Sequence, residues 1–203
     1  VTHFETFEMA AGGFASMVRA IPESAWAKPG LGDWDVRALV GHASRSLITV
    51  STYLKKPAAH EDVTSAADYY AQIRDYASKS GAEAIVERGR QAGRDLGDDP
   101  AATVDALLDR VLGELAAVDD PLIEVIGGLG IRLSNYLPTR VFELAVHGLD
   151  IVNATGIDVA VPAPVVAEAT MLAADVAAIL GQGPTVLLAL TGRATLPPSF
   201  SVV

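Results

Sequence analysis

Apolar residues recur at helical spacing through most of this chain, the pattern of helices that each bury one face. The first segment runs from about Thr2 to Ala20, with Phe4, Phe7, Phe14 and Met17 as core candidates and Gly12 and Gly13 as weak points. Pro22 to Asp33 is a Pro- and Gly-rich connector containing Trp26. Asp35 is placed to cap a second helix from Val36 to about Leu54, and Pro57 follows its end. Thr64 to Leu96 reads as one long or broken helix with Tyr69, Ile73, Tyr76 and Ile85 inward, interrupted by Gly81, Gly89 and Gly93. Asp99-Pro100 opens a helix to about Val118. Leu122 to Leu133, around Gly127-Gly128-Leu129-Gly130, suits a short hairpin or a loop.

A further helix is predicted from about Ser134 to Ala154, with Pro138 placed in its first turn and Gly156 just beyond its end. Pro162 and Pro164 open another, closed by Gly181. Thr185 to Thr191 reads as a buried strand (Val186, Leu187, Leu188, Leu190) for Ser199 to Val203 to pair with. The expected architecture is a mainly α helical bundle over residues 1–156, followed by a short C-terminal extension over 157–203 made of a helix and a β-hairpin.

Composition narrows the function. With 203 residues, half of them hydrophobic, the chain can build a sizeable core. A net charge of −10 argues against nucleic acid, because phosphates need a basic footprint. No apolar run is long enough to span a bilayer, and the first 18 residues carry Glu5 and Glu8 without a basic stretch, unlike a signal peptide. The expected location is the cytoplasm. No cysteine is present, which excludes disulfides, thiolate zinc sites and a cysteine nucleophile. Any thiol chemistry must use a thiol supplied from outside.

One stretch carries candidate chemistry. In Arg140-Val141-Phe142-Glu143-Leu144-Ala145-Val146-His147-Gly148-Leu149-Asp150, a carboxylate and an imidazole lie four residues apart. On a helix they share a face one turn of about 5.4 Å apart, within reach of one cation. Arg140, Glu143, His147 and Asp150 fall within an arc of roughly 80°. Val141, Leu144, Ala145 and Leu149 lie on the side that can pack. On the second helix, Ala38, His42, Arg45 or Ser46, Thr49 and Tyr53 share a face, so His42 would be a third ligand if the two helices are neighbours. Two His and one Glu suit zinc with an open position, and also Fe(II), Ni(II) or Mn(II). Asp150 is placed to orient His147, and Arg140 to hold Glu143 or a substrate anion. The same residues also suit a surface ion pair and a core histidine, so spacing alone leaves both readings open. Trp26, Trp34 and Tyr53 read as core.

Two elements together resemble a known family. Gly32-Asp33-Trp34-Asp35-Val36-Arg37-Ala38-Leu39-Val40-Gly41-His42 and Thr139-Arg140-Val141-Phe142-Glu143-Leu144-Ala145-Val146-His147-Gly148-Leu149-Asp150 are similar, in order and spacing, to the two motifs of the mycothiol-dependent maleylpyruvate isomerase N-terminal domain, a DinB-like up-down four-helix bundle. The resemblance covers roughly residues 1–156. It implies that His42, Glu143 and His147 bind a divalent metal, usually taken as Zn²⁺, and that an actinobacterial mycothiol or another small-molecule thiol is the co-substrate. Leu190-Thr191-Gly192-Arg193 resembles a short element near the end of the isomerases' C-terminal domain, which would bring Arg193 to the site as an anion binder. Residues 157–203 are much shorter than the α/β domain that follows the bundle in those enzymes.

The leading functional reading is a metal-dependent isomerase or S-transferase that activates a small-molecule thiol against an electrophilic small-molecule substrate, with Arg140, Arg45 and Arg193 as candidate cations for the charge that develops. Metal-dependent hydrolysis and a non-catalytic module that binds a metal or a partner remain as alternatives. The sequence does not fix the oligomeric state.

Overall fold

The computed structural model describes residues 2–79 and 81–203, with the side chains of 75–79 and 82 outside the description. The side chain of Tyr76, expected inward, therefore lies outside the description. The helices are α1 (His3–Ala20), α2 (Val36–Tyr53), α3 (Ala66–Lys79), α4 (Ala82–Asp95), α5 (Pro100–Leu115), α6 (Leu133–Thr155), α7 (Ala163–Ile179) and α8 (Gly183–Leu190). The chain is a mainly helical bundle with a small β element. Helix α1 packs against α5 and α6, and α2 packs against the same two, so these four close a ring around the core. Helix α4 lies along α2, and α7 covers α6, α3 and α1.

Local chemistry sets the helix ends. Thr2 and Glu5 form a reciprocal capping box at the start of α1. Asp35 accepts from the Ala38 amide at 2.7 Å, and Asp99 from the Ala102 amide at 3.0 Å. Gly156 ends α6 in the left-handed region with its N–H on the Val152 carbonyl. Inside, Phe7, Phe14, Met17, Leu39, Leu47 and Tyr136 are fully buried, whereas Phe4 only leans on the core.

The Thr64–Leu96 segment takes the broken form, two helices with Gly81 at φ +72° before the second. The structure differs from expectation in two places. Helix α6 begins at Leu133, so Pro138 falls in its second turn and leaves the Ser134 carbonyl without its helical N–H. Thr185 to Thr191 is not a buried strand. It belongs to α8, a helix with no buried residue, in which Leu187 is 63% and Leu190 75% exposed. A short, uniformly apolar run carries no period to distinguish helix from strand. Pro184 presets the first turn, and Leu and Ala then favour helix. Ser199–Val203 forms no strand. The β element is instead the antiparallel hairpin of β1 (Leu122–Glu124) and β2 (Gly130–Arg132), turned by Gly127 and Gly128 at φ +78° and +77°. No helix among the described residues is long and apolar enough to cross a membrane.

The contact between α2 and α4 depends on glycine. A Cβ on Gly41 would overlap the backbone of Ala92 and Gly93, and one on Gly93 would come within 2.9 Å of the Ala38 Cα. Gly41→Ala is therefore expected to lower stability by about 1–3 kcal/mol through overpacking against backbone. Gly113→Ala, in an exposed turn of α5 with nothing within 4 Å of the new Cβ, is expected to raise it by about 0.5–1 kcal/mol. Thermal unfolding followed by circular dichroism checks both signs.

Candidate metal centre

Two helices and their supports place the candidate ligands. His42 lies in the second turn of α2, whose start is tied down by Asp35 and by a loop in which the Gly30 N–H donates to the Trp34 carbonyl at 2.8 Å. Trp34 is buried and stacks on the His42 ring at 4.5 Å between centroids, with 32° between planes. Its indole N–H donates to the Val86 carbonyl at 2.9 Å, and its six-membered ring crosses the face of Gly89, where a Cβ would come within 2.6 Å of Cζ2. Helix α4 thus backs the tryptophan that backs the histidine. The start of α6 is held by Asp120, which accepts from the Ser134 N–H at 2.7 Å and the Ser134 hydroxyl at 2.9 Å.

From that start, helical spacing brings Arg140, Glu143, His147 and Asp150 to one face of α6. One donor atom from each of His42, Glu143 and His147 lies within 4.8 Å of the other two. His147 Nε2 is 3.4 Å from Glu143 Oε2. The two imidazoles meet edge to face at 4.9 Å and 87°. His147 Nδ1 lies 3.1 Å from Asp150 Oδ2. An ionised carboxylate only accepts, so Nδ1–H is the donor and Nε2 faces the other two ligands. The donor set fits a divalent cation: two nitrogens, one oxygen, and an outer carboxylate that fixes a tautomer.

Ionisation follows from burial and neighbours. Burial pushes His42 down, the adjacent His147 pushes it further, and Glu143 opposes only in part, leaving it at about 4. For His147 burial also acts downward, but hydrogen bonds to Asp150 and Glu143 outweigh it and hold the group at about 9. Burial would raise Glu143, yet the His147 hydrogen bond and the Arg140 charge bring it to about 2. The Tyr70 hydroxyl is pushed well above its ordinary value, first by burial and then by the Glu143 charge. At neutral pH the metal-free group therefore holds a neutral His42, a protonated His147 and an ionised Glu143.

The other sequence candidates separate clearly. Arg140 is half-buried, donates through Nε to Thr139 Oγ1 at 3.0 Å and lies 5.0 Å from the centre of the Tyr136 ring. Arg45 is exposed, and Ser46 instead takes the buried position on that face of α2. Arg193 follows α8, is exposed, and turns its guanidinium to the Thr191 carbonyl at 3.3 Å. Among the described residues no hydrogen bond or ion pair joins it to His42, Glu143 or His147. Val141, Leu144 and Ala145 pack as expected, whereas Leu149, next to Val146 at the edge of that side, is 47% exposed. Two contributors escaped the sequence reading. Tyr70 donates to Glu143 Oε1 at 2.8 Å, and Trp34 is core, as expected, but core that touches a ligand. The position of Trp34 at the mouth of the helix that carries His42 was the available signal. For Tyr70 there was none beyond its apolar spacing.

Comparison with known proteins adds one finding. Neither the curated proteins nor the solved structures give a significant match. The family model for the mycothiol maleylpyruvate isomerase N-terminal domain matches residues 7–152, from within α1 to near the end of α6, leaving α7 and α8 outside. That span takes in all three candidate ligands and well over half of the chain, and the protein belongs to this DinB-like family.

Proposed function

We propose that this protein binds one divalent cation, with zinc as the leading candidate, through His42, Glu143 and His147, and uses it to activate a small-molecule thiol such as mycothiol against an electrophilic substrate. The observation that carries the reading is the convergence of three donor atoms within 4.8 Å, with His147 oriented by Asp150. Family membership supports it. When bound, the cation would supply Lewis acidity that lowers the pKa of a thiol and gives thiolate at neutral pH.

The residues divide the work. Two neutral imidazoles and one carboxylate offset only one of the two charges on such a cation, so the remaining ligand is best an anion, as a thiolate is. Asp150 keeps the His147 ring turned with Nε2 toward the ligands. Arg140, one turn before Glu143, is placed to hold an anionic group of the substrate and to offset charge developing on an enolate oxygen. In isomerisation, the thiolate sulfur would add to one carbon of an activated double bond. Rotation about the resulting single bond and expulsion of the thiolate would then give the other geometric isomer and return the thiol. On an alkyl substrate that carries a leaving group, or on an epoxide, the same attack would form a C–S bond as the leaving group departs with its electron pair or the ring C–O bond opens to an alkoxide that takes up a proton, giving a thioether.

Three outcomes are expected. His147→Ala should abolish stoichiometric zinc in metal analysis, and Glu143→Gln should weaken binding while the helical circular dichroism signal persists. Metal retained at unchanged affinity would contradict the assignment. Second, zinc binding at pH 7 should release about one proton, from His147, because His42 at about 4 and Glu143 at about 2 are already deprotonated. Affinity should rise with pH up to about 9 and then level off, as calorimetry in buffers of different ionisation enthalpy can test. Third, turnover of an electrophilic cis-alkene acid by the zinc-loaded protein should require added thiol. Equal turnover without thiol would favour hydrolytic or other chemistry.

A further inference from the structure

Glu143 has one oxygen more than a single-atom ligand needs, and the structure gives that oxygen its own partner. Oε2 faces His147 Nε2, while Oε1 accepts from the Tyr70 hydroxyl at 2.8 Å. Tyr70 comes from α3, a helix that carries none of the three ligands. Its side chain has little room to move. The residue is 6% exposed, and its ring meets Phe142 edge-on at 5.3 Å and Tyr69 at 5.7 Å. The hydroxyl also lies 3.2 Å from the Thr139 carbonyl, one turn before Glu143 on α6, so it is registered to the backbone that carries the ligand.

We infer that Tyr70 is a positioning residue that makes Glu143 a one-oxygen ligand and so keeps a coordination position free for the thiol. The inference rests on the metal-binding reading above. A carboxylate beside a divalent cation can bind through one oxygen or both, and the second oxygen takes up a position that an incoming ligand would use. An O–H donor on an ionised carboxylate forms a short, charge-assisted bond. With Oε1 engaged by a hydroxyl that packing holds still, swinging that oxygen onto the metal would break the shorter, charge-assisted bond and leave the hydroxyl only the longer one to the neutral Thr139 carbonyl. Tyr70→Phe removes the donor and keeps the ring.

Cobalt(II), whose visible absorption weakens as coordination number rises, is the probe. For Tyr70→Phe we expect about tenfold weaker cobalt binding, as for loss of other outer partners of metal ligands, together with a marked fall in visible absorption per bound cobalt. An unchanged spectrum overturns the inference, even if affinity falls, because packing alone would then account for Tyr70. Wild-type protein that binds neither cobalt nor zinc overturns the metal reading and this inference with it, a result distinct from an unchanged spectrum. Should the variant fail to fold, the zinc-minus-metal-free infrared difference spectrum of the wild-type protein decides. A wide separation of the carboxylate stretches, as for one-oxygen ligation, supports the inference, and a narrow one, as for two-oxygen ligation, overturns it.

Discussion

A carboxylate largely removed from water has to be matched group by group, and Glu143 sets that demand for the centre of this molecule. Desolvating an ionised side chain costs several kcal/mol even after relaxation, so the charge persists only with good partners. Tyr70 serves one oxygen, His147 the other, and the Arg140 guanidinium adds a charge one helical turn away. Those partners have to be held in turn. Tyr70 requires α3 against α6, and His147 requires Asp150 one turn further along. His42, pressed neutral by burial and by its charged neighbour, requires Trp34 behind it and α4 behind Trp34. The glycines at 41, 89 and 93 let that last layer approach. Much of the packing between α2, α3, α4 and α6 follows from keeping one half-buried acid ionised.

The parts of this arrangement that the sequence made legible are those written in local chemistry. Helices α2 and α5 were readable because periodic apolar positions coincide with side-chain caps at Asp35 and Asp99, and α1 was readable from its apolar spacing, without its Thr2 cap. Glu143, His147 and Asp150 were readable as a set because helical spacing alone puts them on one face. That His42 joins them required α2 and α6 to be neighbours, which spacing could not say and only the family resemblance suggested. Gly89 and Gly93 read as weaknesses in a helix because propensity sees their missing side chains as a cost, whereas packing uses the space left by those side chains. The run from Thr185 to Thr191 failed for the opposite reason. Its unbroken apolar character has no period, and the burial it suggested does not occur in the described structure.

The same contrast ranks the three arginines that the sequence left equal. Arg193 is exposed, where a charge is screened and its effect on a reacting group is small, and Arg45, also exposed, still acts on His42. Arg140 is drawn in, and its charge acts on both His42 and Glu143. What holds it there matters for chemistry. The guanidinium lies over the Tyr136 ring, an attraction that uses the face of the aromatic and consumes no N–H group. Tyr136 is itself fixed by its hydroxyl, 3.1 Å from Thr49 Oγ1 on α2. Among the described residues, the Nε donation to Thr139 is the hydrogen bond Arg140 makes, so its paired terminal nitrogens keep their donors. An arginine fixed by salt bridges would have spent those donors on the protein. One fixed by an aromatic face stays ordered and still offers a planar fork, the geometry that recognises a carboxylate through two parallel bonds.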